Sequence, residues 1–180
     1  MADAVRRGIL TPIADDTAAD FYELAAALLT EAGWLHYEIA NWSVSPETPS
    51  KHNAVYWRNG EYAGIGAGAH GHHHGQRTMN QPFPKRYVAV VERDQSPVTN
   101  VEQIDSRTAM AETMMLGLRL LGTGVSAAAF QARHGISLEE QFGPQISRLT
   151  SLGLLEDDGH NVRLTPRGAL LAYSVCAEFL

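Results

Sequence analysis

Two short stretches bring together residue types that can bind a ligand. The first contains an imidazole, an amide and two large aromatic side chains, in the run His52, Asn53, Ala54, Val55, Tyr56 and Trp57. The second is rich in glycine and ends in a histidine, in the run Gly64, Ile65, Gly66, Ala67, Gly68, Ala69 and His70. Glycines that follow a strand let a ligand approach the backbone closely. Their spacing differs from both common phosphate-binding fingerprints, and the surrounding pattern is not typical of a Rossmann fold.

Histidine occupies four of the five positions from residue 70 to residue 74. Such a run can bind a transition metal. It can also be a solvent-exposed loop rich in glycine and histidine, which is the interpretation we favour for His72, His73 and His74. The single cysteine, Cys176, cannot form an internal disulfide or hold a thiolate metal site alone. Its apolar neighbours Val175 and Ala177 predict a small core residue.

The composition is that of a folded protein. The chain has 180 residues, 44% of them hydrophobic, and a net charge of −6. The negative charge argues against a nucleic-acid or anionic-membrane partner. No apolar run approaches the roughly 20 residues that span a bilayer, and no signal-like apolar stretch follows the first seven residues. A cytoplasmic location is therefore expected.

The first part of the chain predicts a helix followed by a strand. Helix N-cap chemistry at residues 15–17 and an apolar face with Phe21, Leu24 and Leu28 predict a helix over residues 16–32, ended by Gly33. Residues 34–39 alternate as a strand does. Helix and strand together form half of a βαβ unit. Glu38 is then either a surface acid or, with Asn41, part of a strand end where barrel enzymes place their chemistry.

The middle of the chain mixes loops with short elements. Residues 41–51, with two prolines and three serines, predict a surface loop that leads to His52. We expect a strand over residues 62–66 that ends in the glycine-rich turn, and a helix over residues 84–93. Residues 95–100 indicate a boundary.

The last part of the chain predicts the element order of a winged helix. The predicted helices cover residues 106–121, 126–135 and 137–152, two strands cover residues 154–156 and 161–164, and a last helix begins at Thr165-Pro166. A nucleic-acid-binding winged helix needs basic and amide side chains on its second helix and wing. Here the helix carries Glu139 and Glu140, and the wing tip reads Glu156-Asp157-Asp158. We therefore expect no nucleic-acid partner.

Residues 35–70 resemble the radical S-adenosylmethionine proteins related to oxygen-independent coproporphyrinogen III oxidase, and best their heme chaperone branch. Three sequence runs of the family have counterparts here, beginning at Tyr37, His52 and Gly64: Tyr-Glu-Ile-Ser-Asn, His-Asn-x-x-Tyr-Trp and Gly-x-Gly-x-Gly-Ala-His-Ser. Ala40 and Gly71 stand in place of the two serines. Further similar runs are Asp20-Phe21-Tyr22, Gly117-Leu118-Arg119 and Leu164-Thr165-Pro166-Arg167-Gly168. The resemblance extends from about Leu10 to the C-terminus.

The resemblance implies an α/β fold in two parts. Residues 1–94 are expected to be the C-terminal part of a partial β/α barrel, and residues 95–180 a small winged-helix-like α+β domain. The family's Cys-x-x-x-Cys-x-x-Cys motif, which holds a 4Fe–4S cluster that binds S-adenosylmethionine, is absent. The chain thus resembles the C-terminal portion of a larger parent and is expected to be inactive as a radical enzyme by itself.

The resemblance also implies roles for the two runs. In the chaperone branch His52, Asn53, Tyr56 and Trp57 form a heme-binding motif, in which His52 is the candidate ligand of the heme iron. Gly64, Gly66, Gly68, Ala69 and His70 correspond to the strand end that approaches S-adenosylmethionine in the parent. The implied partners are heme or a porphyrin and a heme-accepting protein, which can be membrane-associated. The alternatives are a fragment of a coproporphyrinogen oxidase, and a winged-helix or His-rich metal-binding protein.

Overall fold

The computed structural model describes residues 2–180, and the chain divides into two compact units. One unit ends at Pro49 and the other spans Ser50–Leu180. These ranges differ from the predicted domains 1–94 and 95–180. The physical reason is a strand after residue 95 that pairs with a strand before residue 94 and joins both sides of the predicted boundary.

The first unit contains two helices and a β-hairpin. Its elements are α1 (Ala2–Arg6), α2 (Asp15–Glu31), β1 (Leu35–Glu38) and β2 (Asn41–Ser43). The predicted helix over residues 16–32 is present, but its N-cap is Ala14, which offers no side-chain hydrogen bond. The apolar side chains Phe21, Leu24 and Leu28 on α2 are more than half exposed, at 59%, 56% and 56%.

The hairpin corrects two predictions about this unit. Asn41, predicted to open a loop, begins β2, which pairs antiparallel with β1. The expected βαβ half-unit needs a parallel neighbour and a crossover, whereas every strand pair described between residues 2 and 180 is antiparallel. The two residues between Glu38 and Asn41 are too few for anything but a direct reversal of the chain.

The second unit begins with a helix and a three-stranded antiparallel sheet. The elements are α3 (Lys51–Trp57), β3 (His70–His73), β4 (Gln76–Asn80), α4 (Pro84–Val91) and β5 (Val98–Gln103), with strand order β3-β4-β5. The predicted strand over residues 62–66 is wrong, because only Tyr62 forms a bridge, to His72. The strand is instead the histidine run, and the predicted boundary at residues 95–100 runs into β5.

The remainder of the second unit keeps the predicted order of helices and strands but adds one short strand, Val125–Ser126, that was not predicted. It contains α5 (Ser106–Gly117), β6 (Val125–Ser126), α6 (Ala127–His134), α7 (Leu138–Ser151), β7 (Leu155–Asp157), β8 (Asn161–Leu164), α8 (Pro166–Leu170) and α9 (Ala172–Ala177). The predicted caps are confirmed: the hydroxyl groups of Ser126, Ser137 and Thr165 each accept a backbone N–H three residues on. The last helix breaks at Leu171 into two short ones.

The core of the chain lies in this C-terminal region. Met114 and Leu118 are fully buried. Phe142 contacts Phe130 and Phe179 edge-on, with ring centroids 6.1 and 5.3 Å apart. Cys176 is buried, as predicted, and burial raises the pKa of its thiol. Among residues 2–180 no helix is long and apolar enough to cross a membrane.

Candidate functional site

Helix α3 carries the complete His-Asn-x-x-Tyr-Trp run. The helix begins after Ser50, whose hydroxyl accepts the backbone N–H of Asn53 at 3.2 Å. Residues four apart share a face of a helix, so His52 and Tyr56 lie together. Their rings meet edge to face with centroids 5.0 Å apart, and the imidazole of His52 is exposed. An imidazole on a capped helix is thus available to a ligand from solvent.

A row of aromatic rings continues from Tyr56 into the unit. Tyr56 meets Tyr62 edge-on at 4.6 Å, and Tyr62 lies 6.2 Å from the ring of His72. His72 is buried, and its Nδ1 is 3.0 Å from the carbonyl oxygen of Gly60. Burial, and then the neighbouring Tyr56, raise the pKa of Tyr62. Tyr62 therefore packs against Tyr56, and His52 forms the exposed end of the row.

Trp57 and Asn53 lie on a different face of α3 from His52. The guanidinium of Arg119 lies over the indole of Trp57, 4.3 Å from the ring centroid. Trp57 also lines a cavity of about 320 Å³, together with Phe130 and Arg133. Asn53 is half-buried. The four predicted heme-binding residues thus share one helix, but only His52 is exposed, whereas Asn53, Tyr56 and Trp57 are half-buried.

The segment after α3 is held by a buried polar network. Asn59 has a left-handed backbone, with φ of +48°, and is 5% exposed. Its amide donates to the hydroxyl oxygen of Thr113 at 3.3 Å, and that oxygen lies 3.1 Å from Nε2 of His134. Burial, and then the charge of Arg133, lower the pKa of His134. This network ties the end of α3 to α5 and α6.

We expect the lowered pKa of His134 to make the second unit less stable in acid. The unfolded state titrates near the ordinary value of 6.5, and the folded state binds the proton only at lower pH. The free energy of unfolding should therefore fall as the pH drops below about 6.5. Urea unfolding at pH 7 and pH 5 measures this slope. His134→Gln should flatten it, and the exposed control His160→Gln should not. Equal slopes in all three proteins would contradict the assignment.

The glycine-rich run is a fixed loop that leads into β3, and not the end of a strand as predicted. Gly66 and Gly68 have positive φ values of +106° and +69°. The buried amide of Asn80 donates to the carbonyl oxygens of Gly64 and Gly66 at 3.0 and 3.1 Å, and the Gly66 N–H donates to the hydroxyl of Tyr87 at 3.2 Å. Nothing lies within 4 Å of a Cβ built on Gly66, so its backbone can be approached.

Ala69 and His70 sit where this loop joins the sheet. The carbonyl oxygen of Ala69 accepts the backbone N–H of Asn80 at 2.9 Å, and the side chain of His70 is exposed at the start of β3. Asn80, which fixes the loop from β4, was missed by the sequence analysis, because nothing in the sequence shows that its amide meets this loop.

Glu38 and Asn41 lie at the hairpin turn of the first unit. Glu38 is completely buried. Its Oε1 accepts the backbone N–H of Ala40 at 3.2 Å and an N–H of the Asn41 side chain. Burial, and then the charge of Glu38, raise the pKa of Tyr22. The two side chains therefore stabilise the hairpin turn through hydrogen bonds to the buried Glu38 carboxylate. A barrel mouth stays a prediction for it.

Comparisons with known proteins agree on one family. The HemN C-terminal domain matches residues 104–171. The heme chaperone HemW of Lactococcus lactis is 35% identical over 97% of this chain, and that of Bacillus subtilis is 33% identical over 98%. The chain belongs to the HemW and HemN family. It spans 45% and 46% of the length of these two relatives.

A solved structure shares the fold of this HemW-related chain. The coproporphyrinogen III oxidase HemN from Escherichia coli, a radical SAM enzyme, matches 89% of this chain and 40% of its own, with a TM-score of 0.64 and 16% identity. The radical chemistry of such enzymes needs a cluster with thiolate ligands. This chain offers one thiol, Cys176, which is buried and whose pKa is raised by burial. Its own residues therefore do not fit a 4Fe–4S cluster.

Proposed function

We propose that this chain is the heme-handling C-terminal part of a HemW-type heme chaperone, and that His52 binds the iron of the heme it carries. The observation that supports this most directly is the exposed imidazole of His52 on a capped helix, one turn from Tyr56. Neutral imidazole is a common protein ligand of heme iron. The names of the HemW relatives point to the same cargo.

The other residues of α3 have separate parts in this proposal. Tyr56 places a ring edge beside the imidazole, where it can contact the face or rim of a macrocycle. Trp57, held under Arg119, fixes the C-terminal turn of α3, and Asn53 can hydrogen-bond a ring substituent or a propionate. The chain's own residues thus bind and orient the cargo, and no chemical step is assigned to them.

The same proposal gives the architecture of the parent. The exposed side chains Phe21, Leu24 and Leu28 of α2 form an apolar face, which the remaining strands of a partial β/α barrel would cover. We also propose a winged-helix-like domain after residue 106, which is supported by the order of the helices and strands there. The glycine loop from Gly64 to His70 would then face S-adenosylmethionine in the parent, and Glu38 and Asn41 would stand at the barrel mouth.

The cellular setting follows from the chaperone role. A carrier of heme needs a heme-accepting protein, and we propose that this recipient can be membrane-associated while the chain itself works in the cytoplasm. The acidic side chains at the β7–β8 turn, Glu156 and Asp158, pair with Arg163. This leaves little positive charge there for a nucleic-acid backbone.

A coproporphyrinogen oxidase parent is the second candidate, favoured by the fold shared with HemN. The two candidates differ in what the intact parent does with a porphyrinogen. Decarboxylated product from the cluster-loaded parent would support the oxidase. Stable heme transfer to an apoprotein without decarboxylation would support the chaperone.

Hemin titration of this chain tests the chaperone proposal directly. We expect one tight, saturable equivalent with a shifted Soret band from the one exposed imidazole on α3, and any further binding should be weaker and should disappear when His73 and His74 are replaced. Quenching of tryptophan fluorescence should saturate at the same ratio, since Trp57 is in the same helix. A spectrum that changes linearly with added hemin, without saturation, would count against a specific site. A titration with an iron-free porphyrin in the same buffer is the control for unspecific stacking.

A further inference from the structure

A hairpin turn brings two exposed histidines to the same side of the sheet. β3 and β4 are joined through His74 and Gly75, whose φ values are +49° and +70°. Two successive left-handed residues form the tight turn that suits a two-residue hairpin. Neighbouring side chains on a strand normally point to opposite faces. Here the turn at His74 brings its ring to within 3.8 Å of the ring of His73, centroid to centroid.

Backbone pairing delivers a carboxylate to the same place. Tyr62 and His72 exchange backbone hydrogen bonds of 2.8 and 2.9 Å, which holds Glu61 beside the end of β3. Oε1 of Glu61 accepts the backbone N–H of His74 at 2.8 Å. Oε2 of Glu61 lies 2.6 Å from Nδ1 of His73, and Oε1 lies 3.8 Å from Nδ1 of His74.

These three side chains have the donor set and spacing of a metal site. One ligand atom from each of Glu61, His73 and His74 lies within 4.8 Å of the other two. A tetrahedral site with bonds near 2.1 Å separates its ligand atoms by about 3.4 Å. Because all three side chains are exposed, small rotations reach that spacing without disturbing the backbone. The hydrogen bond from His74 lowers the pKa of Glu61 and favours its anionic form.

We propose that Glu61, His73 and His74 bind one transition-metal dication, with Zn²⁺ and Ni²⁺ as the ions to test. Two imidazoles and one carboxylate make up a familiar set of zinc ligands that leaves a position open to water. Imidazole ligands favour zinc, nickel and copper over magnesium and calcium. The site shares no residue with the proposed heme site on α3, and it joins Glu61 to two histidines that lie twelve and thirteen positions further along the chain.

Two other histidines of the run, His70 and His72, are not part of this site. His72 is buried and directs Nδ1 at the carbonyl oxygen of Gly60. His70 lies at the opposite end of β3 and is exposed. The histidine run is therefore not a uniform metal-binding tract, and His70 supplies a matched control of equal chemistry in the same strand.

Calorimetric titration of the full chain with Zn²⁺, and separately with Ni²⁺, tests the proposal. We expect one equivalent to bind. Glu61→Gln, His73→Ala and His74→Asn should each weaken binding at least about tenfold, since even outer partners of a metal ligand contribute that much. Asparagine is used at position 74 because it tolerates a left-handed backbone. Thermal melting followed by circular dichroism verifies that each variant is folded.

The controls decide between a built site and scattered histidine binding. His70→Ala and His160→Ala should leave affinity and stoichiometry unchanged. The proposal is overturned if Glu61→Gln binds as tightly as the parent chain, or if His70→Ala weakens binding as much as His73→Ala does. A stoichiometry of one that is lost in His73→Ala and retained in His70→Ala supports it.

Discussion

Replacing His52 with alanine should weaken hemin binding at least about tenfold, which corresponds to about 1.4 kcal/mol. The substitution removes the exposed imidazole of α3 and leaves the cap at Ser50 and the packing of Trp57 in place. Alanine also favours a helix, so the fold of α3 should be retained. The measurement is a hemin titration followed at the Soret band, with the position of the band recorded at saturation.

A second substitution separates a ligand from a merely structural residue. His52→Cys keeps a side chain that can bind ferric heme through a thiolate. It should therefore preserve saturable binding while moving the Soret band. A packing role for His52 would not change the band position in this way. Tyr56→Phe, which keeps the ring edge beside position 52, should bind nearly as the parent chain does.

The other exposed histidines must be controlled for in this experiment. His73 and His74 offer imidazoles at the β3–β4 turn, and hemin can take either one. The titrations are therefore best made in a His73→Ala, His74→Asn background, with His160→Ala as the matched exposed control. Equal hemin affinity with and without His52 in that background would remove His52 as the iron ligand.

Local chemistry made part of the fold predictable. The caps at Ser126, Ser137 and Thr165 depend on a hydroxyl and a backbone N–H three residues on, so the sequence shows both partners. The end of α2 was predictable in the same local way, because Gly33 shortly after it takes a left-handed backbone with φ of +84°. The order of the helices and of β7 and β8 after residue 106 could be predicted for this reason, whereas β6, which depends on pairing with β8, was missed.

Contacts distant in the sequence account for what was missed. β5 has no clean apolar alternation and is exposed along its whole length, so only its pairing with β4 identifies it as a strand. The glycine loop carries the apolar residue Ile65 and was predicted to be a strand end, but the positive φ of Gly66 is incompatible with an extended strand. Neither the amide of Asn80 nor its partners in that loop can be paired from spacing alone.

In the candidate site, too, features local in the sequence were predictable and contacts distant in the sequence were not. The run from His52 to Trp57 was found because all its members are adjacent in sequence. The enclosed position of Trp57, by contrast, depends on Arg119, which lies 62 positions further along the chain. Likewise, Glu61 drew no attention in the sequence, and only the bridge between Tyr62 and His72 places it beside two histidines.

Gly168→Ala should cost the second unit about 3 kcal/mol of unfolding free energy, at the upper end of the usual range for overpacking. Gly168 lies inside α8, where alanine would otherwise be favourable by up to about 1 kcal/mol. A Cβ at this position would lie 2.0 Å from the carbonyl oxygen of Leu154 and 3.2 Å from Cδ2 of Leu164. The same carbonyl accepts the backbone N–H of Thr165 at 3.1 Å, so it cannot move away freely.

Gly122→Ala is the matched control, because nothing lies within 4 Å of a Cβ there and its backbone is not left-handed. Its effect should stay within about 0.5 kcal/mol. Urea unfolding in a Trp34→Phe, Trp42→Phe background reports on the second unit, since Trp57 is then the remaining tryptophan. Similar losses for both glycines would contradict the clash. A loss confined to Gly168 would show that the Thr165-Pro166-Arg167-Gly168 run, shared by resemblance with the family, is required by the close approach of α8 to Leu154.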